Sequence, residues 1–156
     1  LDPNITLAIG ETIIIPDGEE PLPSPTTGSQ PRPIRGSGPS YAGYYIRPIS
    51  GGVRTQGLHG YNGIDLSTGS IGTPIYASAA GRVIISKENG WNGGYGKYIV
   101  IQHDNNTQTL YAHNNDNIVA RDQVGVQGQV IGYLGSTGKS TGPHVHFEIR
   151  GAKNPF

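Results

Sequence analysis

The sequence predicts an all-β fold, mainly antiparallel: a two-sheet sandwich or barrel-like sheet with long loops around a groove. Three observations predict it. From Tyr41 onward, short runs of β-branched and aromatic residues recur, each bounded by Gly, Asn or Asp. No stretch sustains an apolar period of 3.6 residues. Turn signals fall at intervals that suit antiparallel strands rather than alternating strand–helix units. In order, the runs cover residues 44–46, 74–77, 81–86, 98–102, 109–113, 129–134 and 144–149. Residues 88–97, ENGWNGGYGK, form a polar, Gly-rich loop between two of them. No internal repeat is present.

The first part of the chain is organised differently. Residues 1–16 read LDPNITLAIGETIIIP, in which the β-branched run at 12–15 predicts a short strand stopped by Pro16. The phrase NITLAIGETIIIP resembles the closing portion of a LysM module, a small peptidoglycan-binding fold; an ordinary strand lead-in is the other reading. Only a tail of such a module is present, so carbohydrate binding is not expected of it. Residues 17–40 are dominated by Pro, Ser, Thr and Gly, and seven of the twelve prolines lie between Pro16 and Pro39. This predicts an extended, semi-stiff linker leading into a working domain at 41–156.

Composition excludes some classes. With 14% charged residues and a formal net charge of zero, the chain lacks the basic excess of a nucleic-acid binder. Its apolar runs are far too short for a membrane-spanning helix. The absence of Cys fits an exported protein without disulfides and a cytosolic one equally. The chain contains no Met and begins at Leu1. It therefore reads as a fragment, with any export signal upstream.

All five histidines, His59, His103, His113, His144 and His146, fall in the second part of the chain. In GPHVHFEIR, His144, His146 and Glu148 alternate with Val145, Phe147 and Ile149. On a strand the two imidazoles share a face, about 7 Å apart, and can reach one cavity. Zinc takes nitrogen and oxygen ligands, three from the protein in a catalytic site, although an isolated HxH pair is as often structural. His59 and Asp65, in GLHGYNGIDLS, offer a neutral and an anionic ligand, or else a loop imidazole and a turn-forming carboxylate. His113, in LYAHNND, stands at the end of a strand. His103, in IQHDNNTQ, reads as an exposed turn histidine before a polar hairpin loop.

Together these segments resemble the lysostaphin/LytM-type family of peptidoglycan zinc endopeptidases, with its duplicated-hybrid-motif β fold. The phrases GLHGYNGIDLS, GTPIYASAAGRVI, GGYGKYIVIQH, LYAHNN, GQVIGYLGSTGKSTGPHVHFEIR and NPF occur in the family's order. The resemblance implies that His59, Asp65 and His146 bind zinc and that His113 and His144 are two unliganded catalytic histidines. One of the pair would take a proton from water, and the other would steady the oxyanion or protonate the leaving amine. One spacing departs from the family pattern. Five residues separate His59 from Asp65 where the family has three, which puts Tyr61 at the usual His position. Either the loop bulges at Gly60 and Gly63 and His59 still reaches the metal, or that ligand is lost.

Tyr111, two residues before His113, is expected on the same strand face, where it would hydrogen-bond substrate or pack. Asn114, Asn115 and the loop around Trp91 are candidates to line the groove, with a packing role the other reading for Trp91. The expected function is hydrolysis of peptide bonds in bacterial peptidoglycan, in a cross-bridge or stem peptide, by a zinc-dependent monomer whose partners are peptidoglycan peptides. The alternative is a non-catalytic relative that activates cell-wall amidases. The extended segment before Tyr41 suggests a further role, lying across the groove and blocking it.

Overall fold

Between residues rich in turn chemistry, the β-branched and aromatic runs become strands. The computed structural model describes residues 38–156. Nine strands follow in order: β1 (Val53–His59), β2 (Gly63–Ser67), β3 (Pro74–Tyr76), β4 (Gly81–Lys87), β5 (Lys97–Gln102), β6 (Gln108–Asn117), β7 (Val124–Gly125), β8 (Val130–Leu134) and β9 (Val145–Arg150). A 3₁₀ turn at Asn92–Gly94 is the only helical element among the described residues. The expected module remnant at 1–16 lies outside them, as does the linker apart from its last three residues.

Six expected runs correspond to β3, β4, β5, β6, β8 and β9. The run at 44–46 does not form a strand: Gly43 at φ 73 turns the chain there, Ile46 N–H donates to Ser78 O, and Tyr45 goes into the core. Strands β1, β2 and β7 carry no sequence expectation. β1 is polar and exposed over most of its length, and β7 has only two residues.

Every strand pairing is antiparallel, in the order β1-β2-β9-β6-β5-β4-β7, with β3 paired to β8 and β8 to the far end of β6. β9 therefore runs between β2 and β6, buried from end to end. The two-residue period of a strand sorts its side chains. Val145, Phe147 and Ile149 enter a core shared with Ile64, Leu66, Ile75, Ile99, Ile101, Tyr111, Ile131 and Leu134. His146, Glu148 and Arg150 point to the opposite face. On that face Tyr98, Val100, Leu110 and Ala112 form a smaller cluster with Ile84, Ile85 and Tyr95. The rungs Ala112↔His146 and Leu110↔Glu148 bring polar β9 beside apolar β6. The sheet thus has one apolar face and one on which charged groups are held between apolar walls.

Candidate metal centre

Asp65 and His146 are direct cross-strand partners, so their side chains leave one face side by side. Asp65 Oδ1 and His146 Nδ1 are 2.9 Å apart. His59 arrives from the end of β1. Between the Gln56↔Asp65 and His59↔Gly63 pairs the register slips, so β1 advances three residues while β2 advances two. Such a bulge re-aims the following side chain. The tight connection uses positive φ at Gly60 (55°) and Asn62 (53°), and Asn62 Nδ2 donates to Ala152 O at 2.8 Å. His59 Nε2 then lies 3.0 Å from His146 Nδ1 and 3.3 Å from Asp65 Oδ1. The bulged turn brings His59 to the other two despite the lengthened spacing. Gly63 leaves the room they need, because a Cβ there would sit 2.7 Å from His146 Cε1.

Hydrogen-bond chemistry fixes the tautomer of His59 and leaves that of His146 open. A carbonyl or carboxylate oxygen only accepts. His59 Nδ1 therefore donates to Gly57 O (2.6 Å), whereas His146 has a carboxylate oxygen at each nitrogen, Glu148 Oε1 2.8 Å from Nε2 and Asp65 Oδ1 2.9 Å from Nδ1. In the Nε2–H form of His146, its Nδ1, His59 Nε2 and Asp65 Oδ1 are three electron-rich atoms around one point. That form can hold a cation. Burial opposes charge on His146, yet its bonds to Asp65 and Glu148 outweigh burial and push it up to about 9. Burial likewise opposes charge on Asp65, but the His146 bond and the surrounding imidazoles hold it below the usual carboxylate range. The fit to zinc is metric as well as chemical: ligands about 2.1 Å from a tetrahedral ion lie roughly 3.4 Å from one another, close to the 2.9–3.3 Å seen here.

The other two histidines flank this cluster. His113 lies within β6 at φ 64, where the β5–β6 register breaks between Lys97↔Asn114 and Tyr98↔Ala112. Its N–H leaves the ladder for Tyr95 O at 2.9 Å. Its Nδ1 donates to Thr137 O at 2.8 Å. Burial pushes His113 down to about 4, with the nearby imidazoles acting in the same sense and the Thr137 bond against it. The ring is thus neutral near pH 7 and keeps a lone pair on Nε2. His144, just before β9, donates from Nδ1 to Gly142 O (2.9 Å) and places Nε2 3.7 Å from Asp65 Oδ2. The His113 and His144 ring centres are 4.6 Å apart, and His113 is 6.1 Å from His146.

Two expected substrate contacts are corrected. The bulge at His113 breaks strand alternation, so Tyr111 does not share its face. Tyr111 is 0% exposed, accepts the Ser78 N–H at 2.8 Å and shares a bond with Thr109 Oγ1. Asn114 is also 0% exposed and donates from Nδ2 to Tyr111 O and Asn117 Oδ1. Neither side chain is open to substrate. His103, expected at the surface, is 2% exposed and bonded to Ala80 O and Thr109 Oγ1, and burial lowers its pKa. Trp91 is 61% exposed on its loop rather than packed. Glu148, Arg150, Tyr95 and the Thr137 carbonyl carry site contacts that motif reading passes over. For Glu148 and Arg150 the signal was the two-residue period, continued past His146.

The family model described as peptidase family M23 matches residues 59–156. Among curated proteins, the chain is 47% identical over 108 residues to the DD-carboxypeptidase/endopeptidase Mpg of Neisseria meningitidis, covering 69% of this chain and 23% of that protein. It is 39% identical over 95 residues to the peptidoglycan DD-endopeptidase ShyA of Vibrio cholerae, covering 61% of this chain and 21% of that one. The chain thus spans less than a quarter of the length of either relative. Similar solved structures include two peptidases. The catalytic domain of the antimicrobial peptidase lysostaphin from Staphylococcus simulans matches at 35% identity and TM-score 0.53, covering 69% of this chain and 77% of that one. A zinc-containing peptidase from Vibrio cholerae matches at 31% identity and TM-score 0.53, covering 76% and 37%.

Proposed function

The chain belongs to peptidase family M23, and on that premise we propose that it is a zinc endopeptidase cutting peptide bonds in bacterial peptidoglycan. The observation that carries this reading is the convergence of His59 Nε2, Asp65 Oδ1 and His146 Nδ1 beside two further imidazoles. Support for the substrate comes from the relatives' names, a peptidoglycan DD-endopeptidase among them.

His59, Asp65 and His146 would hold the zinc, which when bound polarises the scissile carbonyl and acidifies water. His113 accepts the proton of the attacking water on Nε2, since burial keeps that atom unprotonated near neutral pH. The Thr137 carbonyl holds the ring at Nδ1 during the transfer. As water adds to the carbonyl carbon, negative charge grows on the carbonyl oxygen. His144 stands beside Asp65 with Nε2 toward the cluster; with a proton on each nitrogen it would donate from Nε2 to that oxygen or to the leaving amine. When the C–N bond breaks, the amine departs with the proton. The alternative, a non-catalytic activator of amidases, would be favoured by a missing ligand. All five side chains are present and adjacent, which favours catalysis.

The test is release of new amino groups from purified peptidoglycan, with and without a zinc chelator, with mass spectrometry of the fragments. Chelator-sensitive release is expected, and the products name the bond. No release from several wall types, by protein that retains one zinc, would overturn the endopeptidase reading. The cell envelope is the proposed place of action; among the described residues no helix is long and apolar enough to cross a membrane.

A further inference from the structure

Glu148 is 1% exposed in the central strand, and a carboxylate taken from water is costly unless its lone pairs are met. Here they are met. Oε1 accepts from His146 Nε2 at 2.8 Å and from Tyr95 O–H at 2.7 Å. Oε2 accepts from Arg150 Nε at 2.6 Å. Arg150 is itself buried, reaches Tyr95 Oη at 3.2 Å and stacks under the Tyr61 ring with its guanidinium carbon 5.0 Å from the ring centre. A buried ion pair of this kind adds little net stability over apolar side chains of equal size. What an apolar pair could not do is decide where His146 carries its proton.

That choice is open in the ring itself, because each nitrogen faces a carboxylate, Nδ1 toward Asp65 and Nε2 toward Glu148. With the proton on Nδ1, the ring would bond Asp65 and turn its lone pair away from His59. With the proton on Nε2, the lone pair joins the other two ligand atoms. We propose that Glu148, held by Arg150 and Tyr95, is a positioning residue that fixes the Nε2–H form of His146 and so sets the affinity of the site for zinc. Tyr61 extends the same support to the other histidine: it sits on the lengthened turn after His59 and leans on Arg150. One buried ion pair thereby stands behind both imidazole ligands. The proposal rests on the zinc reading of the site given above.

The experiment titrates zinc into the metal-free full chain against a chromophoric chelator. Glu148→Gln leaves the Arg150 guanidinium buried beside a neutral amide, so the cleaner variant is Glu148→Leu combined with Arg150→Met. Loss of such outer support costs about 10–100-fold in metal affinity. The expected result is weakening in that range with circular dichroism unchanged, and ¹⁵N shifts of the neutral His146 ring moving from the Nε2–H to the Nδ1–H pattern. A folded double variant that binds zinc within about twofold of wild type and keeps the Nε2–H pattern overturns the proposal. If the double variant does not fold, Tyr95→Phe decides, since it removes one donor from Oε1; weaker zinc binding supports the clamp and unchanged binding overturns it. If the wild-type chain itself takes up no zinc, the reading of the metal centre fails and the proposal with it, which is distinct from a variant matching a zinc-binding wild type.

Discussion

His113 holds a backbone conformation that few side chains tolerate, at φ 64. It does so in the bulge that aims its ring beside His146. Asn tolerates such backbone better than most residues, so His113→Asn should keep the fold and the zinc. It should lose about 10²–10⁴-fold in rate, the usual worth of a general base. His59→Ala should instead lose zinc itself, and metal analysis beside kinetics separates the two. A strained histidine has no signature in composition, which is why the face of Tyr111 could not be read correctly from LYAHNN. His103 makes a different prediction. Burial lowers its pKa, so the native chain holds it neutral while the unfolded chain protonates it below about 6.5. Protons then favour the unfolded state. The stability contributed by neutral His103 is complete above pH ~6.5 and is lost as pH falls toward its depressed native value. Thermal melts at pH 7.5 and 5 should show a smaller acid loss in His103→Gln than in wild type.

At the level of elements, β9 was the most legible, because HVHFEIR alternates strictly and each class of side chain goes to its own face. β1 was not legible: it is an exposed strand at the edge of the sheet, without a buried apolar face to betray it. The β1–β2 connection nonetheless decides whether His59 is a ligand, and the deciding features are a register slip and two left-handed residues that spacing alone only allowed. Gly63 is the tightest point of this hairpin against β9. Gly63→Ala would drive a methyl into the His146 ring. The expected outcome is zinc affinity at least tenfold weaker with a cooperative thermal transition preserved. Unchanged affinity would mean that the hairpin relaxes away from β9 without cost. The loops behind His113 are joined as closely. A Cβ at Gly96 would lie 2.5 Å from the backbone at Gly138. Gly96→Ala, at φ 64, should therefore destabilise the chain by about 1–3 kcal/mol, measured by denaturant melts.

Across the molecule, the apolar face of the sheet supplies the rigidity on which the polar face depends. Phe147 and Tyr111 meet there with ring centres 5.3 Å apart, both fully buried. Phe147→Ala should cost about 3–5 kcal/mol, and because His146 and Glu148 flank it in sequence, zinc affinity should fall with it. The segment before Tyr41 carries one functional prediction: if it shields the groove, removing residues 1–40 raises the hydrolysis rate, and an unchanged rate excludes the shield. The order of the ligands along the chain has a consequence for when the ion is acquired. Asp65 and His146 are 81 positions apart and meet only when β2, β9 and β6 have paired. An unfolded chain keeps them far apart and does not assemble the three ligands. Metallation therefore follows folding, and the site is complete only after the last strand has docked.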